Sequence, residues 1–236
     1  MNKDLKLEIL RQPDGTTCGP TCLHAVYRYF DDDIELSEVI REVAELPTGG
    51  TLSVMLAIHA LKRGYKTILF TYNLNVFDPT WFVGSVDLAE RLIAQAKARN
   101  DPKLHIATRA YLEYLNQGGA IIFEDLSSAL FHRYLDRGVP ILTGLSATYL
   151  YRQARERAWD DEYDDTHGQS AGHFVVLSGY DEKSRELMVV DPLFAQAMKS
   201  KSEYTVKVNR LVCAILLGIL SYDGNLLVIE PSEGKK

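Results

Sequence analysis

Gln12-Pro-Asp-Gly-Thr-Thr-Cys18-Gly-Pro-Thr-Cys22 sets a cysteine where a turn rich in Gly and Pro runs into an apolar helix. Downstream, Leu23, Ala25, Val26, Tyr29 and Phe30 recur at helical spacing, which predicts Cys18 near the helix N-terminus with Pro20 in the first turn. Backbone N–H groups are unpaired there and the macrodipole is positive, so the position favours an anion. The nucleophilic form of cysteine, the thiolate, is such an anion. Gln12 adds a second element, an amide held just upstream that can donate a hydrogen bond to a developing oxyanion alongside the Cys18 N–H. On its own a Cys-Gly-Pro is more often a small buried hydrophobe than a nucleophile. The reading therefore turns on what lies far downstream.

There, His173 opens one apolar stretch, Phe174 to Leu177, and Asp191 closes another, Leu187 to Val190, followed by Pro192. The intervening Asp-Glu-Lys-Ser-Arg reads as the loop of a hairpin. With a turn centred near Lys183, Asp191 falls opposite Val175 and on the same face as His173. A slip of one residue turns the two side chains to opposite faces. In the expected register Asp191 accepts a hydrogen bond from one imidazole nitrogen and aims the other at Cys18, the arrangement of nucleophile, base and orienter. Taken singly, His173 reads as a satisfied histidine at a strand end and Asp191 as a turn residue before proline. The other histidines fit that plain reading better: His24, His59 and His132 sit inside expected helices and His105 lies near a helix start. His167, in the polar stretch before His173, is the competitor for the base.

Composition narrows the classes of function. A chain of 236 residues with 46% hydrophobic and 25% charged residues can bury a sizeable core, which argues against general disorder. The net charge of −6 and the lack of a basic face exclude nucleic acid as the expected partner. Arg152, Arg155 and Arg157 are followed at once by Asp160, Asp161, Glu162, Asp164 and Asp165, a solvated charged segment, with substrate contact the lesser reading. The charged N-terminus lacks the apolar core of a secretory signal, and the apolar run Leu211 to Leu220 falls short of the roughly 20 residues that span a bilayer. A soluble, cytoplasmic protein without membrane insertion is expected. Cys18, Cys22 and Cys213 are too few and too irregular for a disulfide framework or a zinc site, so no metal or cofactor is called for. Cys22 reads as a core residue, a redox pair with Cys18 being the alternative.

Helices dominate the first half. Beyond the Cys18 helix they are expected at Leu36 to Ala44 with Ser37 as cap, Leu52 to Leu61 with Thr51 as cap, Ser85 to Ala98, and Ile106 to Leu115; a strand covers Lys66 to Tyr72. The second half turns to strands at Ala120 to Phe123, Pro140 to Gly144, the hairpin, and Asn225 to Ile229, with a helix at Leu126 to Leu135 and a polar stretch from Arg152 to Ser170. This order predicts an α+β fold in which the nucleophile helix packs on an antiparallel sheet.

Together, Gln12, Cys18-Gly-Pro, the Gly138-Val-Pro140 strand entry, Gly172-His173-Phe-Val-Val-Leu-Ser-Gly179-Tyr and Val190-Asp191-Pro192 resemble, in order and separation, the peptidase C39-like group of papain-like cysteine peptidases. The resemblance runs across most of the chain. It implies a papain-like fold in a single domain over 1–236, with Cys18 as nucleophile, His173 as general base and acid, Asp191 as orienter and Gln12 as oxyanion donor. The activity it implies is thiol-dependent hydrolysis of a peptide or amide bond without a cofactor. Acyl transfer through the same residues, and a shell that binds a peptide without cutting it, are the alternatives. The best-known members of the group are domains of peptide exporters that trim a leader after a double glycine, joined to a membrane domain and an ATPase, and this sequence contains neither. It also carries Thr17 where Asp is common before the nucleophile, and 73–101 looks like an insertion.

Overall fold

The computed structural model describes residues 2–157, 159–160, 162–193 and 202–232. The chain runs β1 (Asn2–Asp4), α1 (Cys18–Tyr29), α2 (Leu36–Glu42), α3 (Ser53–Lys62), β2 (Tyr65–Thr71), α4 (Leu88–Ala98), α5 (Pro102–Asn116), β3 (Ala120–Ile122), α6 (Ser128–Leu135) and β4 (Ile141–Ser146). It continues through α7 (Ala147–Tyr151), β5 (Gly172–Asp181), β6 (Glu186–Val190), β7 (Glu203–Lys207), α8 (Val208–Leu217) and β8 (Asn225–Pro231). α1 starts at Cys18 itself, with Pro20 in its first turn and every residue from Cys18 to Tyr27 buried. A helix buried on all sides is a core element, and α1 packs against α2, α3 and β5.

The strands form one sheet in the order β3-β2-β8-β4-β5-β6-β7, with β1 paired to the turn end of β5. All pairs are antiparallel except β2 with β3, which α4 and α5 connect as a crossover. Both faces of the sheet are covered. Val176, Val190, Leu142 and Leu227 face the layer of α1, α3 and α5, while Val175, Val189, Leu177 and Val228 face α6 and α8. Alternate residues of one strand thus feed two separate cores.

β5 and β6 do not pair regularly. From Asp181↔Glu186 to Gly179↔Met188 the ladder keeps one register, and from Leu177↔Val189 to Val176↔Val190 another, with Ser178 left over between them. This bulge re-aims everything on β5 that precedes it.

Several local expectations need correction. Ser37 is not a cap, since α2 begins at Leu36 behind Glu35, and Thr51 donates to the Ala44 carbonyl instead of capping α3. α5 begins four residues before Ile106 because Asp101 caps it and Pro102 suits its first turn. β1, β7, α7 and α8 were not expected; the apolar run from Leu211 is largely α8, laid against the sheet. Within 73–101, Phe77 packs edge-on against Tyr111 of α5 at 4.7 Å and Leu92 is fully buried. The charged run is satisfied within its own loop, Arg157 pairing with Asp160 and Arg155 donating to the Asp165 carbonyl; Asp161 lies outside the described residues.

Candidate active site

The N-terminus of α1 carries no side-chain cap, so its first N–H groups are open to a ligand. Cys18 sits there at 8% exposure. One turn on, the fully buried Cys22 donates its S–H to the Phe174 carbonyl at 3.3 Å, which fastens α1 to β5 one residue beyond His173. Burial pushes the Cys22 thiol well up, with the neighbouring Cys18 and Asp191 charges adding to it, so Cys22 is a structural thiol. Gly19 allows the close approach: a Cβ there would meet Thr51 Cγ2 at 2.7 Å and Phe174 Cδ2 at 3.2 Å. Cys18 lies near enough to His173 for its charge to act on the imidazole.

His173 lies in β5 opposite Leu145 of β4, and its Nε2 meets Oδ1 of Asp191 at 2.9 Å. Asp191 is 2% exposed and follows directly on β6, its own N–H bonded to the Ser202 carbonyl. The Leu193 N–H also donates to Oδ1, while Oδ2 accepts the hydroxyls of Tyr151 and Tyr204. Burial disfavours charge on both partners. Against it, the Asp191 carboxylate and the Cys18 thiolate hold His173 above its ordinary range, and His173 with the two tyrosines brings Asp191 down to about 2. A buried ion pair is thus the favoured state of this corner.

Gln12 is buried nearby in the chain's path. Its backbone N–H donates to the carbonyl of Pro192, next to Asp191, and its Nε2 donates to the Asp14 carbonyl at 2.6 Å. One N–H of that amide is left over, and Oε1 is buried with no partner in the protein. The other histidines are engaged elsewhere: His59 with Tyr27 and Glu42, His105 with the Ala96 and Arg99 carbonyls, His132 stacked on Tyr180. His24 is buried within α1, and His167, the competitor for the base, bonds Asp164 in an exposed loop. Reasoning from sequence missed Tyr151 and Tyr204, whose positions carry no motif.

A model of the Peptidase_C39 like family matches residues 5–212, a span that contains Gln12, Cys18, His173 and Asp191. The chain belongs to that family. Comparison with curated proteins returned no match. Among solved structures, this C39-like chain is similar to a protein of Bacillus anthracis assigned as a C39-like peptidase, 14% identical over 98% of each chain with a TM-score of 0.50. It is also similar to xylellain, a cysteine protease from Xylella fastidiosa, 12% identical over 98% of this chain and 86% of that one with a TM-score of 0.47. A double glycine motif protease from an AMS/PCAT transporter, in complex with the leader peptide, is 12% identical over 98% of this chain and 99% of that one with a TM-score of 0.46. The fold is that of the C39-like, papain-like cysteine peptidases. Among the described residues no helix is long and apolar enough to cross a membrane, and no group of His, Cys, Asp and Glu is placed to hold a metal ion.

Proposed function

We propose that the protein is a thiol-dependent hydrolase, a cysteine peptidase or amidase, acting through Cys18, His173 and Asp191. The observation that carries this reading is the buried Nε2 to Oδ1 bond between His173 and Asp191, with Cys18 near enough for its charge to act on the same imidazole. Nε2 is committed to Asp191, so Nδ1 is the nitrogen that holds the proton taken from Cys18, which leaves a thiolate beside the imidazolium. The thiolate then attacks the substrate carbonyl carbon, and the oxyanion accepts the Cys18 N–H and the uncommitted N–H of Gln12 Nε2. Collapse breaks the C–N bond as His173 returns the proton to the leaving amine. Water, deprotonated by His173, cleaves the thioester and frees the acid. One oxyanion donor of this kind is worth roughly 2.7–4 kcal/mol of barrier. The substrate class is a peptide or amide.

The test is a screen of peptide and amide substrates with the wild type, Cys18→Ala and Gln12→Ala. Hydrolysis abolished in Cys18→Ala and slowed in the folded Gln12→Ala supports the reading. Turnover by Cys18→Ala equal to wild type would sink it.

A further inference from the structure

Asp191 holds more hydrogen bonds than the orienting of one imidazole requires. Oδ1 accepts from His173 Nε2 and from the Leu193 N–H, both at 2.9 Å, and Oδ2 accepts from the hydroxyls of Tyr151 at 2.5 Å and Tyr204 at 2.7 Å. The two tyrosines arrive from separate elements. Tyr151 ends α7, a helix whose first turn is capped by Ser146 and whose Tyr149 and Leu150 carbonyls accept the guanidinium of Arg210 in α8. Tyr204 stands in β7, opposite Val189 of β6. The Tyr151 ring also lies 6.1 Å from the imidazole of His173, so one side chain borders both members of the pair.

We propose that Tyr151 and Tyr204 are positioning residues of the reaction assigned above: their hydroxyls grip Oδ2 from two rigid elements and thereby present Oδ1, in one orientation, to His173. The inference rests on that assignment of Cys18 and His173. The chemistry of the donors matters as much as their placement. A buried carboxylate with an empty acceptor site pays a desolvation penalty that a hydrogen bond offsets. A cationic donor at Oδ2 would offset it too, but would also neutralise the charge that favours the imidazolium. A phenol fills the site while leaving the negative charge to His173. Burial, and the charge on Asp191 behind it, push both hydroxyls up from their ordinary range, so they remain O–H donors throughout the pH range of a thiol enzyme. The titratable groups that face Asp191 are His173 of β5, Tyr151 of α7, Tyr204 of β7 and Cys22 of α1.

The experiment compares wild type with Tyr151→Phe, Tyr204→Phe and the double variant, using Tyr149→Phe as a control on the same helix. Each is assayed for kcat and KM on a substrate from the screen, for Cys18 alkylation by iodoacetamide at pH 7 and pH 4.5, and for its melting temperature. Each single change is expected to lower kcat about tenfold with KM within twofold, as the loss of one hydrogen bond to a charged group implies. The double variant lowers kcat further, and its alkylation falls more steeply from pH 7 to pH 4.5 than the wild type's, because Asp191 without those donors is protonated at higher pH. Tyr149→Phe matches the wild type. Folded single variants with wild-type kcat and a wild-type alkylation ratio overturn the proposal. A wild type that hydrolyses nothing would sink the proposed function instead, and the alkylation ratio would still decide the role of the tyrosines.

Discussion

His173 and Asp191 meet at 2.9 Å because the β5–β6 ladder changes register between them and the turn. Pairing from Asp181↔Glu186 to Gly179↔Met188, continued without interruption, would set Asp191 opposite Val176 and turn its carboxylate to the other face of the sheet. The bulge at Ser178 absorbs one residue, and the ladder extended past Val176↔Val190 then brings Asp191 opposite Val175, on the His173 side. A backbone irregularity five residues from the imidazole is what assembles the pair.

The orienting role of Asp191 is tested by Asp191→Asn. An amide accepts the tyrosine hydroxyls but carries no charge to hold the imidazolium, so kcat should fall on the order of 10⁴-fold, the drop seen when the carboxylate of a serine-protease triad is replaced by its amide. A kcat within twofold of wild type would remove Asp191 from the mechanism.

Stability should follow the pair at alkaline pH. His173 is raised from 6.5 to about 10 in the folded protein, where burial opposes the charge and the Asp191 and Cys18 charges overcome it. A raised value means that its contribution is complete below pH 6.5 and drains away as pH rises through the folded value. The gap in urea midpoint between wild type and His173→Gln is therefore expected to narrow steadily above pH 6.5. A gap constant to pH 10 would show that the imidazolium is not the stabilised species.

Gly19→Ala probes the packing around Cys18, the proposed nucleophile. Its new methyl would lie 2.7 Å from Thr51 Cγ2 and 3.3 Å from Leu56 Cδ1, so α1 or its neighbours must shift. Overpacking of this kind costs about 1–3 kcal/mol. A lower urea midpoint together with slower alkylation of Cys18 is the expected result, and a wild-type midpoint would show that the neighbours yield without strain.

Asp223, away from the proposed triad, holds its proton to higher pH than an ordinary surface carboxylate. It is buried beneath Gly144 and accepts the Ser53 N–H at 2.7 Å, the Ser53 hydroxyl at 2.8 Å and the Asn225 amide. Burial nevertheless pushes it up from 3.8 to about 6 against those bonds. Its contribution is full below pH 3.8 and is lost as pH rises through about 6. The urea midpoint of wild type should fall relative to that of Asp223→Asn as pH rises across that window, and the two should run parallel above it; curves parallel throughout would place the titration elsewhere.

Much of this was legible in the linear chain. Pro20 and the apolar spacing after Cys18 mark the start of α1, and the Asp181 to Arg185 loop marks a hairpin with His173 and Asp191 at its open end. The register inferred from a turn near Lys183 agrees with the structure at the site but not at the turn, where a bulge makes up the difference of one residue. Such features are readable because backbone dihedral preferences and face alternation act over a few neighbouring residues. By itself, then, the sequence determined which residue could be the nucleophile, which histidine could serve it and that an α+β fold would carry them. Tertiary structure decided the rest. Tyr151 and Tyr204 stand 40 and 13 residues from the carboxylate they hold, and only the order β4-β5-β6-β7 with α7 and α8 packed beside it brings them to Oδ2. That order follows from covering both faces of the sheet, a demand of the whole chain's apolar surface that no local stretch expresses.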